Sequence, residues 1–170
     1  MILNFGILTV SDRSAAGKRE DLSGPALVRA VQEAGWLVNQ TAVVPDDFQV
    51  IVDVLTAWAD EGSSSVILTT GGTGFSPRDI TPEATRAVIE RDAPGLAEAM
   101  RTGSLMITPH AMLSRAAAGI RKSTLIINLP GSPKGALENF RILAPVLHHA
   151  VQLLRGDQDA ERGHDPGRAI

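Results

Sequence analysis

Asp79 sits five positions beyond a glycine-rich run, Thr70-Gly71-Gly72-Thr73-Gly74, and just ahead of Thr81-Pro82. Three glycines in four residues let a backbone take positive φ and turn its amides toward an anion with no Cβ in the way. The run follows Val66-Ile67-Leu68, an apolar β-branched stretch. Thr81 has the chemistry of a helix N-cap, and Pro82 suits the first helical position, where a missing N–H costs nothing. A strand-loop-helix of this kind is a phosphate cradle, and the Asp79 carboxylate should face the same pocket. A carboxylate beside a bound phosphate repels it unless a cation lies between, so Mg²⁺ at Asp79 is the expected third party. Gly72-Thr73-Gly74-Phe75-Ser76-Pro77 has Pro77 where a dinucleotide fingerprint needs its third glycine, and no Lys-Ser/Thr pair follows as in a P-loop.

Leu129-Pro130-Gly131-Ser132-Pro133-Lys134-Gly135 repeats the logic. Gly131 makes the turn, Ser132 caps, Pro133 opens the helix, and the first helical amides with the Lys134 ammonium favour an anion. Ser11, Asp12 and Arg13 end the first apolar run, and Pro45-Asp46-Asp47 ends the second. Either Asp46 or Asp47 suits the cap of the helix beginning near Phe48, and Asp12 has Arg13 and Arg19 as local partners.

The elements that would position these groups alternate strand and helix, the pattern of a parallel sheet covered on both faces. A strand is expected over residues 2–10. Ser23-Gly24-Pro25 opens a helix with Leu27, Ala30, Val31 and Ala34 on one face, closed by Gly35. A second strand runs from Trp36 to Val44. Phe48, Ile51, Leu55 and Trp58 share the apolar face of the next helix, and a third strand begins at Ser65. Helices follow over about 82–90 and 94–106. Residues 114–120 and 124–129 read as a hairpin turning at Arg121-Lys122-Ser123. Residues 133–154 are helical in pattern, kinked or split at Pro145. The expected fold is an α/β three-layer sandwich, a mostly parallel sheet with helices on both faces and a small hairpin. It forms one domain over 1–155, followed by a disordered tail over 156–170. In such a sheet ligands gather at the carboxyl ends of the strands, which brings these loops to one edge.

Hydrophobic residues make up 44% of the 170, charged residues 21%, with a formal net charge of −3. That balance gives no footprint for nucleic acid and leaves a small molecule as the expected partner. No apolar run reaches the roughly 20 residues of a membrane span. Cysteine is absent, which removes disulfides, thiolate metal sites and a cysteine nucleophile and accords with a cytoplasmic location.

Taken together, Ser11-Asp12-Arg13, Asp21-Leu22-Ser23-Gly24-Pro25, Pro45-Asp46, the glycine loop through Asp79-Ile80-Thr81-Pro82-Glu83-Ala84, and Asn128-Leu129-Pro130-Gly131-Ser132-Pro133-Lys134 resemble the MogA/MoaB family of molybdenum-cofactor biosynthesis proteins, related to the G domain of gephyrin. The resemblance runs from about residue 4 to residue 155. It implies adenylylation of molybdopterin by ATP with Mg²⁺, giving adenylyl-molybdopterin and pyrophosphate, in a homotrimer. The family's two important carboxylates fall on Asp46 and Asp79. Ser11, Asp12, Gly71 to Gly74, Gly131, Ser132 and Lys134 fall on the nucleotide and phosphate side. Arg101 and Ser104 fall on the pterin side. Competing readings are a non-catalytic pterin-binding or scaffold protein of the MoaB type, and a pyrophosphatase resembling the N-terminal domain of CinA. Outside the motifs, His148 and His149 have no third metal ligand in register, His110 reads as a loop or interface residue, and Met100, Met106 and Met112 read as apolar filler.

Overall fold

The computed structural model describes residues 1–157. Its central feature is a six-stranded sheet in the order β2-β1-β3-β6-β5-β4. β1 (Asn4–Val10) lies between β2 (Leu37–Val44) and β3 (Val66–Thr70), and β3 pairs with β6 (Thr124–Leu129), all parallel. β5 (Ala118–Arg121) runs antiparallel to β6 and to the two-residue β4 (Arg91–Asp92). Register matters here: Thr9 aligns with Thr70 and Thr70 with Leu129, so the chain leaves β1, β3 and β6 at one edge.

Strand side chains alternate between two cores because successive Cβ atoms point to opposite faces. Phe5, Ile7, Val66, Leu68 and Ile127 pack with α2 (Ser23–Glu33), α5 (Pro94–Leu105) and α6 (Pro133–Leu154) through Leu27, Met100, Phe140 and Leu147. Leu8, Val10, Ile67 and Ile126 pack on the other face with α3 (Phe48–Glu61) and α4 (Thr81–Val88) through Ile51, Leu55, Ala84 and Val88. The result is the three-layer arrangement expected. The chain crosses from β1 outward to β2 and then back over β1 to β3, so right-handed connections put α2 and α3 on opposite faces. Between β1 and β3 lies the switch point where such sheets open a crevice.

Several expectations are corrected. Asp12–Ala15 forms a short helix, α1, capped by Ser11, whose side chain accepts the Ser14 N–H. α4 ends at Val88 rather than near 90, because Glu90 and Ala93 donate to Ile120 and Ala118 as the flanks of β4. The hairpin strand begins at Ala118, not 114, and residues Pro109–Leu113 form a 3₁₀ turn. Pro145 does not split α6, which continues through it for 22 residues. Met100 is buried, but Met106 and Met112 are exposed rather than apolar filler, and Phe48 is 43% exposed at the start of its helix. The tail expected from residue 156 lies, from residue 158 on, outside the described residues.

Candidate active site

The glycine loop is shaped by close packing as much as by its own flexibility. Gly71 and Gly72 have φ of 104° and 65°. A Cβ on Gly71 would lie 2.2 Å from the Val10 carbonyl oxygen, and one on Gly131 would lie 3.1 Å from Gly71 Cα. The loops after β1, β3 and β6 are therefore pressed together, and only glycine fits at Gly71. Thr81 does not cap α4. It is the first residue of the helix, and its hydroxyl donates to the Gly71 carbonyl (2.9 Å) while its N–H donates to Gly72 (3.1 Å). Thr70 fastens the second loop, its hydroxyl donating to the Pro130 carbonyl at 2.7 Å.

The loops enclose a cavity of about 590 Å³ at the carboxyl edge, lined among others by Ser11, Asp12, Asp46, Gly71, Gly72, Arg78, Asp79, Gly131 and Ser132. Three carboxylates thus come from three different strand ends. Asp47, not Asp46, caps α3, accepting the Val50 N–H at 3.0 Å, and this leaves Asp46 to the cavity. Asp46 accepts the Asp12 N–H (2.8 Å), and Asp12 accepts the Asp46 N–H (2.9 Å). Burial, aided by the nearby charges of Asp12 and Asp79, holds the Asp46 carboxyl above the ordinary aspartate value. Asp12 does not pair with Arg13 or Arg19 as the local spacing suggests. Arg78 reaches it with a bidentate fork at 2.9–3.0 Å, and that guanidinium, opposed in part by desolvation, holds the Asp12 carboxyl below its usual value. Asp79 accepts the Ser76 N–H at 3.0 Å, which turns its carboxylate back over the loop.

A second cavity of about 290 Å³ adjoins the first, and Ser132 lines both. Thr73 and Gly74 line this one, so the glycine loop is a wall between the two, with Gly71 and Gly72 facing the larger. Arg101 and Ser104 line the smaller cavity, together with Met100, Leu113 and His110, which make it the more apolar of the pair. Arg101 donates to the Ala116 carbonyl (3.1 Å), and Ser104 pairs with Asn139. Lys134 is the expected residue that the structure does not bring in. It lines neither cavity, its side chain is 80% exposed, and its ammonium lies 3.8 Å from Glu138.

Residues not expected at the site are Asp21, Arg78, His110 and Arg115. Asp21 caps α2 by accepting the Ser23 and Gly24 N–H groups and takes the Thr9 hydroxyl at 2.6 Å, which props up the floor of the larger cavity. Its place before a Ser-Gly-Pro helix start is a capping signal visible in the sequence. Arg115 donates from Nε to the Gly74 carbonyl at 2.7 Å and from its terminal nitrogens to the Asp79 carbonyl and the Glu83 carboxylate. Among the described residues no three His, Cys, Asp or Glu side chains are grouped so as to hold a metal unaided. Nor is any helix among them long and apolar enough to cross a membrane.

Residues 6–149 match the family model described as a probable molybdopterin binding domain. The chain belongs to that family. It is 42% identical over 159 residues to the molybdopterin adenylyltransferase of Helicobacter pylori strain J99, covering 91% of this chain and 89% of that one. It is 42% identical over 158 residues to the molybdenum cofactor synthesis protein cinnamon of Drosophila melanogaster, of which the match spans only about a quarter, 26%. Among solved structures, the molybdopterin biosynthesis enzyme MoaB of Thermus thermophilus superposes with a TM-score of 0.86 at 48% identity, covering 92% of this chain and 98% of that one. The cavities lie within the matched segment, so the carboxyl-edge crevice belongs to the shared domain and not to an addition.

Proposed function

We propose that the protein adenylylates molybdopterin: a terminal phosphate oxygen of molybdopterin attacks the α-phosphorus of ATP, the bond from that phosphorus to the bridging oxygen breaks, and pyrophosphate leaves. The observation that carries this reading is the pair of adjoining cavities divided by one glycine loop. The larger, walled by loop amides and carboxylates, suits a triphosphate. The smaller, with apolar walls and the Arg101 guanidinium, suits a pterin. An in-line displacement at the partition needs positioning and charge neutralisation more than covalent help. A relative matched along nearly its whole length carries that activity in its name.

The Gly71 N–H is committed to the Leu129 carbonyl, so amides around Gly72 and Gly131 hold phosphate oxygens in place, and the Ser132 cap aims the first amides of α6 at the junction of the cavities. Asp46, held half-buried beside Asp12, orients the attacking group. Arg78, at the mouth of the larger cavity, provides positive charge on the side where pyrophosphate forms. The donor set fits Mg²⁺ bound by one or two carboxylates, Asp79 first, with substrate phosphates and water completing the shell, since the described residues offer no closed ligand cage. When bound there, Mg²⁺ supplies neutralisation of the phosphate charge. A cytoplasmic homotrimer completes the reading, in line with the family resemblance.

The test is purified protein with molybdopterin, ATP and Mg²⁺, following adenylyl-molybdopterin by mass beside Asp79→Asn. Product from the parent with turnover lowered by orders of magnitude in Asp79→Asn supports the reading. Pterin binding without product in the parent overturns it in favour of a binding or scaffold role.

A further inference from the structure

The loop between Gly74 and Asp79 carries the Asp79 carboxylate, yet little of the fold lies beneath it. Phe75 at its crest is 66% exposed, and Ser76, Pro77 and Arg78 are exposed as well. Its internal bonds, Ser76 N–H to the Asp79 carboxylate and Asp79 N–H to the Ser76 carbonyl, set its local shape but not its placement on the domain. Two side chains place it: Arg78, within the loop, forks onto Asp12 at 2.9–3.0 Å, and Arg115 reaches it from the segment before β5. The Arg115 N–H donates to the Thr73 carbonyl at 2.9 Å, its Nε to the Gly74 carbonyl, and its terminal nitrogens to the Asp79 carbonyl and to Glu83 in the first turn of α4. One planar guanidinium therefore grips the start of the loop, its end and the helix that follows.

Arg115 is itself rooted in the sheet. Ala116 next to it is buried and accepts from Arg101, and Ala117 exchanges hydrogen bonds with Asn128 of β6, donating to its side chain and accepting from its backbone. Ser114, the residue before it, lines the smaller cavity. A link from the wall of that cavity to Asp79 in the larger one thus runs through a half-buried residue whose partners, Thr73, Gly74, Asp79 and Glu83, are 32 to 42 positions away in the chain.

We infer that Arg115 is a positioning residue for the transferase: it touches neither cavity's contents, and by clamping both ends of the Gly74–Asp79 loop it fixes the Asp79 carboxylate against the shared wall where transfer occurs. This rests on the reading under "Proposed function". The planar fork matters, because a lysine ammonium can reach only part of the partner set that a guanidinium spans. A displacement of about 1 Å at a catalytic group costs on the order of a hundredfold in rate.

The experiment compares Arg115→Ala, Arg115→Lys and the parent in steady-state turnover and in amide hydrogen exchange, with and without guanidinium ion far below unfolding concentrations. Expected for Arg115→Ala is a fall of about a hundredfold in kcat with KM for ATP within roughly threefold of the parent. Added guanidinium should restore part of it, and faster exchange should be confined to residues 74–80 while the amides of β3 stay protected. Arg115→Lys should fall between, and decides the matter if the alanine variant does not fold. Unchanged kcat with unchanged loop exchange overturns the inference. So does a loss accompanied by faster exchange throughout β3 and no response to guanidinium, since that marks a role in stability alone. If the parent makes no product, the transferase reading fails by itself, and confined loop exchange still decides whether Arg115 places Asp79.

Discussion

Asp12 and Asp46 exchange hydrogen bonds across the ends of two adjacent strands, each carboxylate accepting the other's backbone N–H, at 2.8 and 2.9 Å. The exchange welds β1 to β2 just where the cavity opens, and it sets two like charges side by side. The two carboxylates respond in opposite directions: Asp12, satisfied by Arg78, is held low, whereas Asp46, half-buried, is held high. Two carboxylates with divergent environments at one site are a recurring mark of function.

A carboxyl whose folded pKa lies above its unfolded value is destabilising once ionised, because the fold disfavours its charge. Asp46→Asn removes that charge while an amide oxygen can still accept the Asp12 N–H. The variant should melt higher than the parent at neutral pH, and the gap should close as pH falls below the ordinary aspartate range, where the unfolded chain is also protonated. Turnover should drop sharply at the same time. Melting curves from neutral to acid pH check this, and a variant less stable than the parent at neutral pH counts against it.

Arg78 gives the opposite sign. Its fork onto Asp12 depresses a folded carboxyl, so the stabilisation is present above the unfolded pKa and is lost as pH falls through the folded one. Arg78→Ala should therefore melt slightly lower than the parent at neutral pH, with the gap vanishing in acid. The pair is exposed, so the effect should be small and should shrink with added salt. In turnover assays the variant should lower kcat more than it raises KM for ATP, as loss of positive charge beside the departing pyrophosphate would.

The βα order was legible in the sequence because the buried strands read as apolar runs and the helices as 3.6-period faces, as at Ile51 and Leu55. β4 left no such signal: Arg91 and Asp92 are exposed, and they are a strand only because β5 lies alongside. The site divides the same way. Glycines, caps and strand-end carboxylates are local features and could be read. The choice of Asp47 over Asp46 as the cap of α3 could not, since both sit at capping distance and the decision is made by Asp12 across the sheet. Arg78 and Arg115 act on partners 66 and 41 positions away, a separation no local pattern encodes. Lys134 was expected from its place at a helix start, but Glu138 one turn on offers a partner that spacing alone had already made available.

Gly71 tests whether the loops are held by close approach. Gly71→Ala places a methyl 2.2 Å from the Val10 carbonyl at a φ of 104°, so both contact and backbone oppose it. A loss on the order of 3 kcal/mol in urea unfolding is expected, with loss of activity. Gly17→Ala is the control for backbone strain alone, because its φ is 67° and a methyl there meets nothing within 4 Å. It should cost about 1 kcal/mol and leave turnover unchanged. Equal losses at the two positions would mean that loop packing contributes nothing.

Asn128 ties the two loop-bearing strands to α4. Fully buried in β6, its amide nitrogen donates to the hydroxyls of Thr69 (3.0 Å) and Thr85 (2.8 Å), and its oxygen accepts the Ala117 N–H at 3.1 Å. The network joins β3 just before the glycine loop to the helix just after it, and also anchors the segment that carries Arg115. Asn128→Ala strands a buried N–H and deprives two hydroxyls of their donor, and a loss of roughly 2–4 kcal/mol is expected. Asn128→Asp keeps the shape and the Ala117 contact but introduces a buried charge, so its stability should fall further as pH rises through the carboxylate range, while that of the alanine variant should not. Urea unfolding at acid and neutral pH separates the two. If Asn128→Asp shows no such slope, the site is open to water and the network is not the dry tie that its geometry describes.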